Sequence, residues 1–313
     1  MIIQPTKLPF LEYLGWQIVD PYRLTETEML SSYERGWRFL SQVDISDEEL
    51  AWIEQLALSN RSWLISEFLD FRIDYHQIIQ GILGELNHEL LSDCRAYFGG
   101  GTVILMDLGE YRTSSDIDFT CPYGDGYRKL RRAIGEDTPQ ILLKNNSGLE
   151  ISRFMIDQYG IKMGITLDGV TIKTEISAMA EFELDLPRSP HWSPVECLSV
   201  SDCFTNKLLA NAYYFNNQRI QSRDLIDLAH LRLASPIPAT AIVKAEAAYY
   251  RAMPALSEAL IQFQGNSDLR FSAYEAWNIQ VSNRPKLIDG IDLLAGDLGL
   301  DKTDRLALEK SLL

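Results

Sequence analysis

The chain has 313 residues, 46% apolar and 23% charged, an ordinary composition for a globular protein with one large domain or two smaller ones. A net charge of −15 repels phosphate backbones at long range and excludes non-specific nucleic-acid binding over the whole surface, but not a local basic patch guiding one nucleic-acid end into a cleft. No apolar run of about 18 residues is present and residues 1–5 do not read as a secretory signal, so a cytoplasmic protein without a membrane span is expected.

Taken in chain order, the first 20 residues show little periodicity and are expected to form an irregular arm. A helix is predicted over about 25–41, with Thr25 or Thr27 as its cap before Glu28. Ser46 followed by Glu49 is a capping-box pattern, after which Leu50, Ile53 and Leu56 recur at helical spacing. A third helix is predicted over 73–92, its stripe made of Ile78, Ile79, Ile82, Leu83, Leu86 and Leu90. The pattern then changes to a strand at 95–98, a turn at 99–101, a short helix at 102–108, a strand around 116–119 and a helix at 127–134. From 149 to 177 the chain is rich in β-branched residues and interrupted by Asp168-Gly169, a hairpin signal. Prolines 187, 190 and 194 mark a linker, and helices follow at about 200–216, 222–235, 238–262 and 267–281, with a last one near the end. The expected fold class is α+β, organised as a domain of 1–185, with N-terminal helices and a sheet unit at 95–180, and a helical domain of 186–313.

The four cysteines (Cys94, Cys121, Cys197, Cys203) match no zinc spacing and are expected to be reduced thiols, and the four scattered histidines form no His-x-x-x-His pair. The chemistry sits elsewhere. Residues two apart on a strand share a face, so Asp116 and Asp118 present two carboxylates side by side while Ile117 and Phe119 point into the core. Adjacent carboxylates repel unless a cation lies between them. Hard oxygen donors suit Mg²⁺, which binds through one or two carboxylates plus substrate phosphates. Gly99-Gly100-Gly101 ahead of a helix lets backbone N–H groups approach phosphate oxygens, whose charge the helix N-terminus favours. An Asp-x-Asp pair or a triglycine turn is weak alone. The ordered set of strand, glycine turn, helix, Arg112-x-Ser114 and Asp116-x-Asp118 is far more specific.

Through Gly100-Gly101-Thr102, Arg112, Ser114, Asp116, Ile117, Asp118 and Phe119, residues 73–119 resemble the AbiEii/AbiGii-type toxin branch of the nucleotidyltransferase superfamily. The chain departs from that pattern at Gly99, where the family often has a basic side chain. Lys207-Leu208, followed by Arg223-Asp224-Leu225-Ile226-Asp227-Leu228, resembles the second signature of the same family. The resemblance implies a polymerase-beta-like core with a mixed sheet, flanked by N-terminal helices and a C-terminal helical domain. It implies transfer of a nucleoside monophosphate from an NTP to an acceptor hydroxyl, with Asp116 and Asp118 holding Mg²⁺. Gly100, Gly101, Thr102, Arg112 and Ser114 are expected at the nucleotide, Lys207 on its phosphates, and Asp224 as an assistant in catalysis.

Such enzymes usually use a third carboxylate on a neighbouring strand, and Glu175 is the candidate. Val170, Ile172 and Ile176 alternate with Lys173 and Glu175, so Glu175 is either a metal ligand or proton acceptor, or part of an exposed Lys–Glu strand face. Asp227 is expected to be structural, with an i,i+4 ion pair to Arg223 as the plain reading. Arg128, Arg131 and Arg132 share a helix face that suits an acceptor nucleic acid or the triphosphate, or simply faces solvent. Members of the family are toxins of toxin–antitoxin pairs and some extend the 3′ end of tRNA, so an NTP, a tRNA acceptor and a cognate antitoxin are the expected partners. Two other functions remain open: a nucleotidyltransferase acting on a small-molecule or protein hydroxyl, and a non-catalytic nucleotide-binding interaction protein.

Overall fold

The computed structural model describes residues 4–16, 18–60, 62, 64, 71, 73–135, 139–145, 147–217 and 219–305. The chain divides into two compact units, Met1–Arg72 and Ile73–Leu313.

Among its described residues the first unit holds the helices α1 (Pro9–Leu14), α2 (Glu26–Gly36) and α3 (Asp47–Asn60). The expected irregular arm thus contains a short helix. At α2 the predicted cap forms as a full capping box between Thr25 and Glu28. At α3 only half of one forms: Ser46 Oγ accepts from the Glu49 N–H at 3.2 Å, but the Glu49 carboxylate turns inward. There it accepts from the backbone N–H groups of Phe10 and Leu11, both at 2.9 Å, and from the Tyr33 hydroxyl at 2.8 Å. Helix α1 has no side-chain cap of its own, so a carboxylate from α3 satisfies its orphan donors. Around this group Phe10, Leu11, Met29, Tyr33, Trp52, Ile53 and Leu56 form a closed core.

The second unit begins with α4 (Asp74–Glu85) and α5 (His88–Asp93) in place of the single helix expected over 73–92. The break falls at Leu86 and Asn87. The Asn87 N–H donates to the Leu142 carbonyl at 2.8 Å, and its side chain accepts from the Leu90 N–H and caps α5. After these come β1 (Tyr97–Gly99), α6 (Gly100–Leu108), β2 (Asp116–Pro122), α7 (Asp125–Ile134), β3 (Glu150–Ile156), β4 (Gly160–Leu167) and β5 (Val170–Met179). The strands form one five-stranded sheet in the order β1-β2-β5-β4-β3, in which β2 runs parallel to β5 and the other pairs are antiparallel. Asp168 and Gly169 make the β4–β5 turn with φ of 51° and 77°, the double positive φ that an Asp-Gly hairpin turn requires. Ile117 and Phe119 are buried and Phe98 packs on Phe119, leaving Asp116 and Asp118 on the opposite face of β2.

The proline-rich stretch after β5 is anchored to the sheet: the Phe98 N–H donates to the Glu196 carbonyl and the Leu198 N–H to the Phe98 carbonyl, both at 2.9 Å, closing the free edge of β1. Among the described residues the helices that follow are α8 (Val200–Tyr214), α9 (Arg223–Ala234), α10 (Ala239–Ala248), α11 (Ala252–Gly265), α12 (Ser267–Ala276) and α13 (Arg284–Asp297). The single helix expected over 238–262 is two, parted at Tyr249, whose backbone is extended. Helix α9 packs against α8, α13 and α6, so the sheet unit and the following helices lie in one compact unit. The fold is α+β with a mixed sheet, as expected. No described helix is long and apolar enough to cross a membrane.

Candidate active site

A cavity of about 590 Å³ opens where β2, the end of β5 and the start of α6 face α8, α9 and the end of α12. Gly100, Gly101, Ser114, Asp116 and Asp118 line it from the sheet side, Asn206, Lys207, Arg223 and Asp224 from the helices, and Tyr75, Ala276 and Trp277 complete the wall. The two signatures, nearly a hundred positions apart in the chain, therefore meet in one concavity.

The pairing of β1 with β2 sets Gly99 opposite Asp118. A side chain at Gly99 would meet Leu198 at 2.5 Å, the physical reason why no basic residue stands there. Gly100 has φ of 70°, and a Cβ on it would lie 2.6 Å from Asp118 Oδ2, so glycine is required both by the backbone and by the approach of the carboxylate. Thr102 donates its hydroxyl to the Asp116 carbonyl at 2.6 Å and shares a hydrogen bond of 2.8 Å with the Ser114 hydroxyl. It is buried and holds the start of β2 in place without lining the cavity, whereas Ser114 does line it.

Asp118 stands where its charged form is disfavoured. Burial first, then the Asp116 carboxylate, push its carboxyl above the ordinary carboxylate range, against the opposing pull of Lys173 and Lys207. Glu175 stands opposite Asp118 in the β2–β5 register and adds to that repulsion. Its own carboxylate is flanked by the Lys162 and Lys173 ammonium groups at 3.4 and 3.5 Å, and it is not among the cavity-lining residues. Among the described residues no group of three or more histidine, cysteine or acidic side chains is arranged to hold a metal ion. On the sheet side of the cavity Asp116 and Asp118 are the adjacent carboxylates, and two hard oxygen donors of that kind fit Mg²⁺, which takes its remaining ligands from phosphates and water.

Lys207 and Asp227 form the centre of a buried ion cluster. The Lys207 ammonium donates to Asp224 Oδ1 and reaches Asp227 Oδ2, both at 2.7 Å. Asp227 also accepts from Arg112 Nε and Nη2, each at 2.8 Å, and from the Tyr111 hydroxyl at 2.8 Å. Burial pushes the Asp227 carboxyl upward, but Arg112 and Lys207 outweigh it and hold it well below the carboxylate range. Burial likewise works against the Lys207 charge, and Asp224 with Asp227 more than restore it. Asp227 is fully buried, and its partners are Arg112, Lys207 and Tyr111 in place of the i,i+4 pair with Arg223, which lies 3.8 Å from Asp224. The second oxygen of Asp224 is buried and has no hydrogen-bond partner.

Arg128, Arg131 and Arg132 are exposed on α7 and stand outside the cavity wall; Lys129 between them pairs with Asp93 at 3.0 Å. Tyr75, Asn206 and Trp277 enter the site unannounced by any motif, and Arg223 enters it from the second signature without a role assigned there. Trp277 is brought there by its carbonyl, which accepts from the Thr113 N–H at 3.3 Å, a pairing no local pattern reveals.

A carboxylate pair, a glycine turn and a lysine thus share one cavity, and the chain that carries them is a nucleotidyltransferase by its family. Residues 82–283 match the family described as nucleotidyl transferase AbiEii toxin of type IV toxin–antitoxin systems, and with more than half its length matched the chain belongs to that family. Membership implies a nucleotide substrate and an antitoxin partner. No curated protein matches the chain. Among solved structures it is similar to a Helicobacter pylori chain (17% identity, 72% of this chain and 95% of that one, TM-score 0.43) and to JHP933 of the same species (17%, 74% and 94%, TM-score 0.41). It is also similar to MenT4, a nucleotidyltransferase toxin of Mycobacterium tuberculosis (12%, 70% and 93%, TM-score 0.29).

Proposed function

We propose that this toxin transfers a nucleoside monophosphate from an NTP to the 3′-terminal hydroxyl of tRNA, with Mg²⁺ held by Asp116 and Asp118. The observation that carries this reading is the convergence of Asp116, Asp118, Gly100 and Gly101 with Lys207 and Asp224 on one cavity. When bound, Mg²⁺ neutralises charge developing on the transferring phosphate and lowers the pKa of the attacking hydroxyl.

The chain's own groups have separable tasks. The first N–H groups of α6 face the triphosphate, aided by the Ser114 hydroxyl. Lys207 uses two of its three N–H donors on Asp224 and Asp227 and keeps the third for a phosphate oxygen. Asp224, with one oxygen on Lys207 and the other without a partner, accepts a hydrogen bond from a ligand hydroxyl and orients it for attack. Arg112 and Thr102 act at one remove: Arg112 is spent on Asp227 and Thr102 on the backbone of Asp116. Glu175 tunes the charge around Asp118 from the neighbouring strand. The stripe of Arg128, Arg131 and Arg132 lies outside the cavity, where it suits the backbone of a bound acceptor. A cytoplasmic location, where NTPs and tRNA are found, goes with this reading.

The test is incubation with each α-labelled NTP and Mg²⁺ in the presence of tRNA, purified proteins or small alcohols. Label is expected in tRNA and absent with Asp116→Ala. Label confined to a protein or a small alcohol, the acceptors that a net charge of −15 favours, overturns the tRNA assignment but keeps the transferase. Growth arrest on expression that survives Asp116→Ala points to a non-catalytic nucleotide-binding protein.

A further inference from the structure

Besides the groups assigned to phosphate and metal, the cavity carries an aromatic ring and a loosely held guanidinium that nothing above explains. Trp277 follows α12 and is half-buried in the same wall as Asp116 and Asp118. Its indole N–H is used up on the Gln221 carbonyl at 3.1 Å, and its backbone is tied to Thr113 and Ala273. What the ring offers the cavity is therefore π surface on a fixed mount.

Two guanidiniums lie 5.6 Å from the centre of that ring, those of Arg112 and Arg223. They differ in every other respect. Arg112 is buried and saturated by Asp227 and the Thr113 carbonyl. The Arg223 side chain is 35% exposed, with Asp224 at 3.8 Å, and its Nε has no hydrogen-bond partner. A buried donor left without an acceptor is costly, so Arg223 is held there against a penalty. The backbone leading to Arg223 is strained as well: Gln221 and Ser222 hold φ of 44° and 59°. That turn does two things at once, aiming Arg223 at the ring and presenting the Gln221 carbonyl to the Trp277 indole. Non-glycine residues stay in the left-handed region only where the surroundings impose it, commonly at ligand sites.

We infer that Trp277 and Arg223 form the nucleobase subsite of this cavity: the base of the incoming nucleotide stacks on the Trp277–Arg223 pair while its triphosphate lies toward Gly100, Gly101 and Lys207. The subsite rests on the proposed nucleotide transfer. A planar ring and a guanidinium plane are the two protein surfaces on which any base stacks. A volume of about 590 Å³ is ample for a nucleotide.

The experiment compares binding of each NTP and of inorganic tripolyphosphate, both with Mg²⁺, to the full chain by calorimetry, using wild type, Trp277→Ala and Trp277→Phe. Stacking predicts that Trp277→Ala weakens NTP binding by roughly tenfold and leaves tripolyphosphate unchanged, while Trp277→Phe stays within about threefold of wild type for both. Equal weakening of NTP and tripolyphosphate overturns the subsite, because Trp277 would then only prop Arg112 and Arg223. Unchanged NTP binding by Trp277→Ala, or a Phe variant as poor as the Ala variant, overturns it too. If wild type binds neither ligand, the proposed transfer fails and takes the subsite with it, an outcome read from wild type alone. Should Trp277→Ala not fold, Trp277→Leu, apolar without a π face, gives the same comparison.

Discussion

Asp118 stands where the fold disfavours its charge, the pattern expected of the catalytic role proposed for it. Its carboxyl is half-buried beside Asp116, and burial together with that neighbour disfavours its charged form. Asp118→Asn keeps the shape and removes the repulsion. In metal-free buffer its melting temperature is expected to equal or exceed that of wild type by a few degrees, while nucleotide transfer falls at least about 100-fold. Thermal unfolding and a labelled-nucleotide assay on the same preparations check this. A variant that melts several degrees lower would mean that the Asp118 carboxylate holds the structure together. The pair itself was legible in the sequence because strand alternation is local: Ile117 and Phe119 announce which way Asp116 and Asp118 point. The partners of Lys207 were only half legible. Asp224 and Asp227 lie in a readable motif, but the bidentate grip of Arg112 on Asp227 and the closure by Tyr111 join positions more than a hundred residues apart.

At the scale of elements the same division holds. Thr25 with Glu28, and Asp168 with Gly169, begin a helix and turn a hairpin through neighbours in the chain, and both stand where the sequence puts them. The break at Asn87 is imposed by Leu142, and no periodicity within 73–92 contains that information. Glu49 is the most instructive case, since its capping-box spacing is real but its carboxylate serves another helix. Glu49→Gln would set an amide N–H₂ against one of the α1 N–H donors, costing roughly 1–3 kcal/mol of stability. The pH dependence has a definite sign. Burial raises the Glu49 carboxyl despite the hydrogen bonds from Phe10, Leu11 and Tyr33 that lower it. A raised folded-state pKa means that the folded chain binds the proton more readily, so this group's contribution is greatest below the ordinary carboxylate range and declines as pH rises through the raised value. Urea denaturation of wild type and Glu49→Gln should therefore give a stability gap that is wider near about pH 4 than near about pH 7. A gap that widens with pH would mean that the ionised carboxylate is the preferred buried form.

On the scale of the whole second unit, one cluster joins the sheet to the helices. Arg112 comes from the segment between α6 and β2, Lys207 from α8, and Asp224 with Asp227 from α9, so a few side chains fix the carboxylate pair relative to the lysine across the cavity. Two cations and two anions balance, and Asp227 touches both cations. Asp227→Ala leaves Arg112 and Lys207 buried without their shared partner, and the loss of one member of a buried ion cluster costs about 3–5 kcal/mol. Arg112→Lys keeps the charge but loses the two parallel hydrogen bonds, and is expected to cost less. Because the cluster sets geometry on both sides of the cavity, Asp227→Ala should also reduce transfer sharply although Asp227 is fully buried and does not line the site. Activity alone does not separate this from a direct role. The distinguishing measurement is the dependence on acid: Asp227 is held well below the ordinary carboxylate range, so its contribution is complete above about pH 4 and is lost as pH falls further. Wild type should lose stability steeply on acidification below that point, and Asp227→Ala, already deprived of the contribution, should lose less over the same interval. Parallel acid-unfolding curves for the two proteins would show that the cluster is not what holds the sheet to the helices.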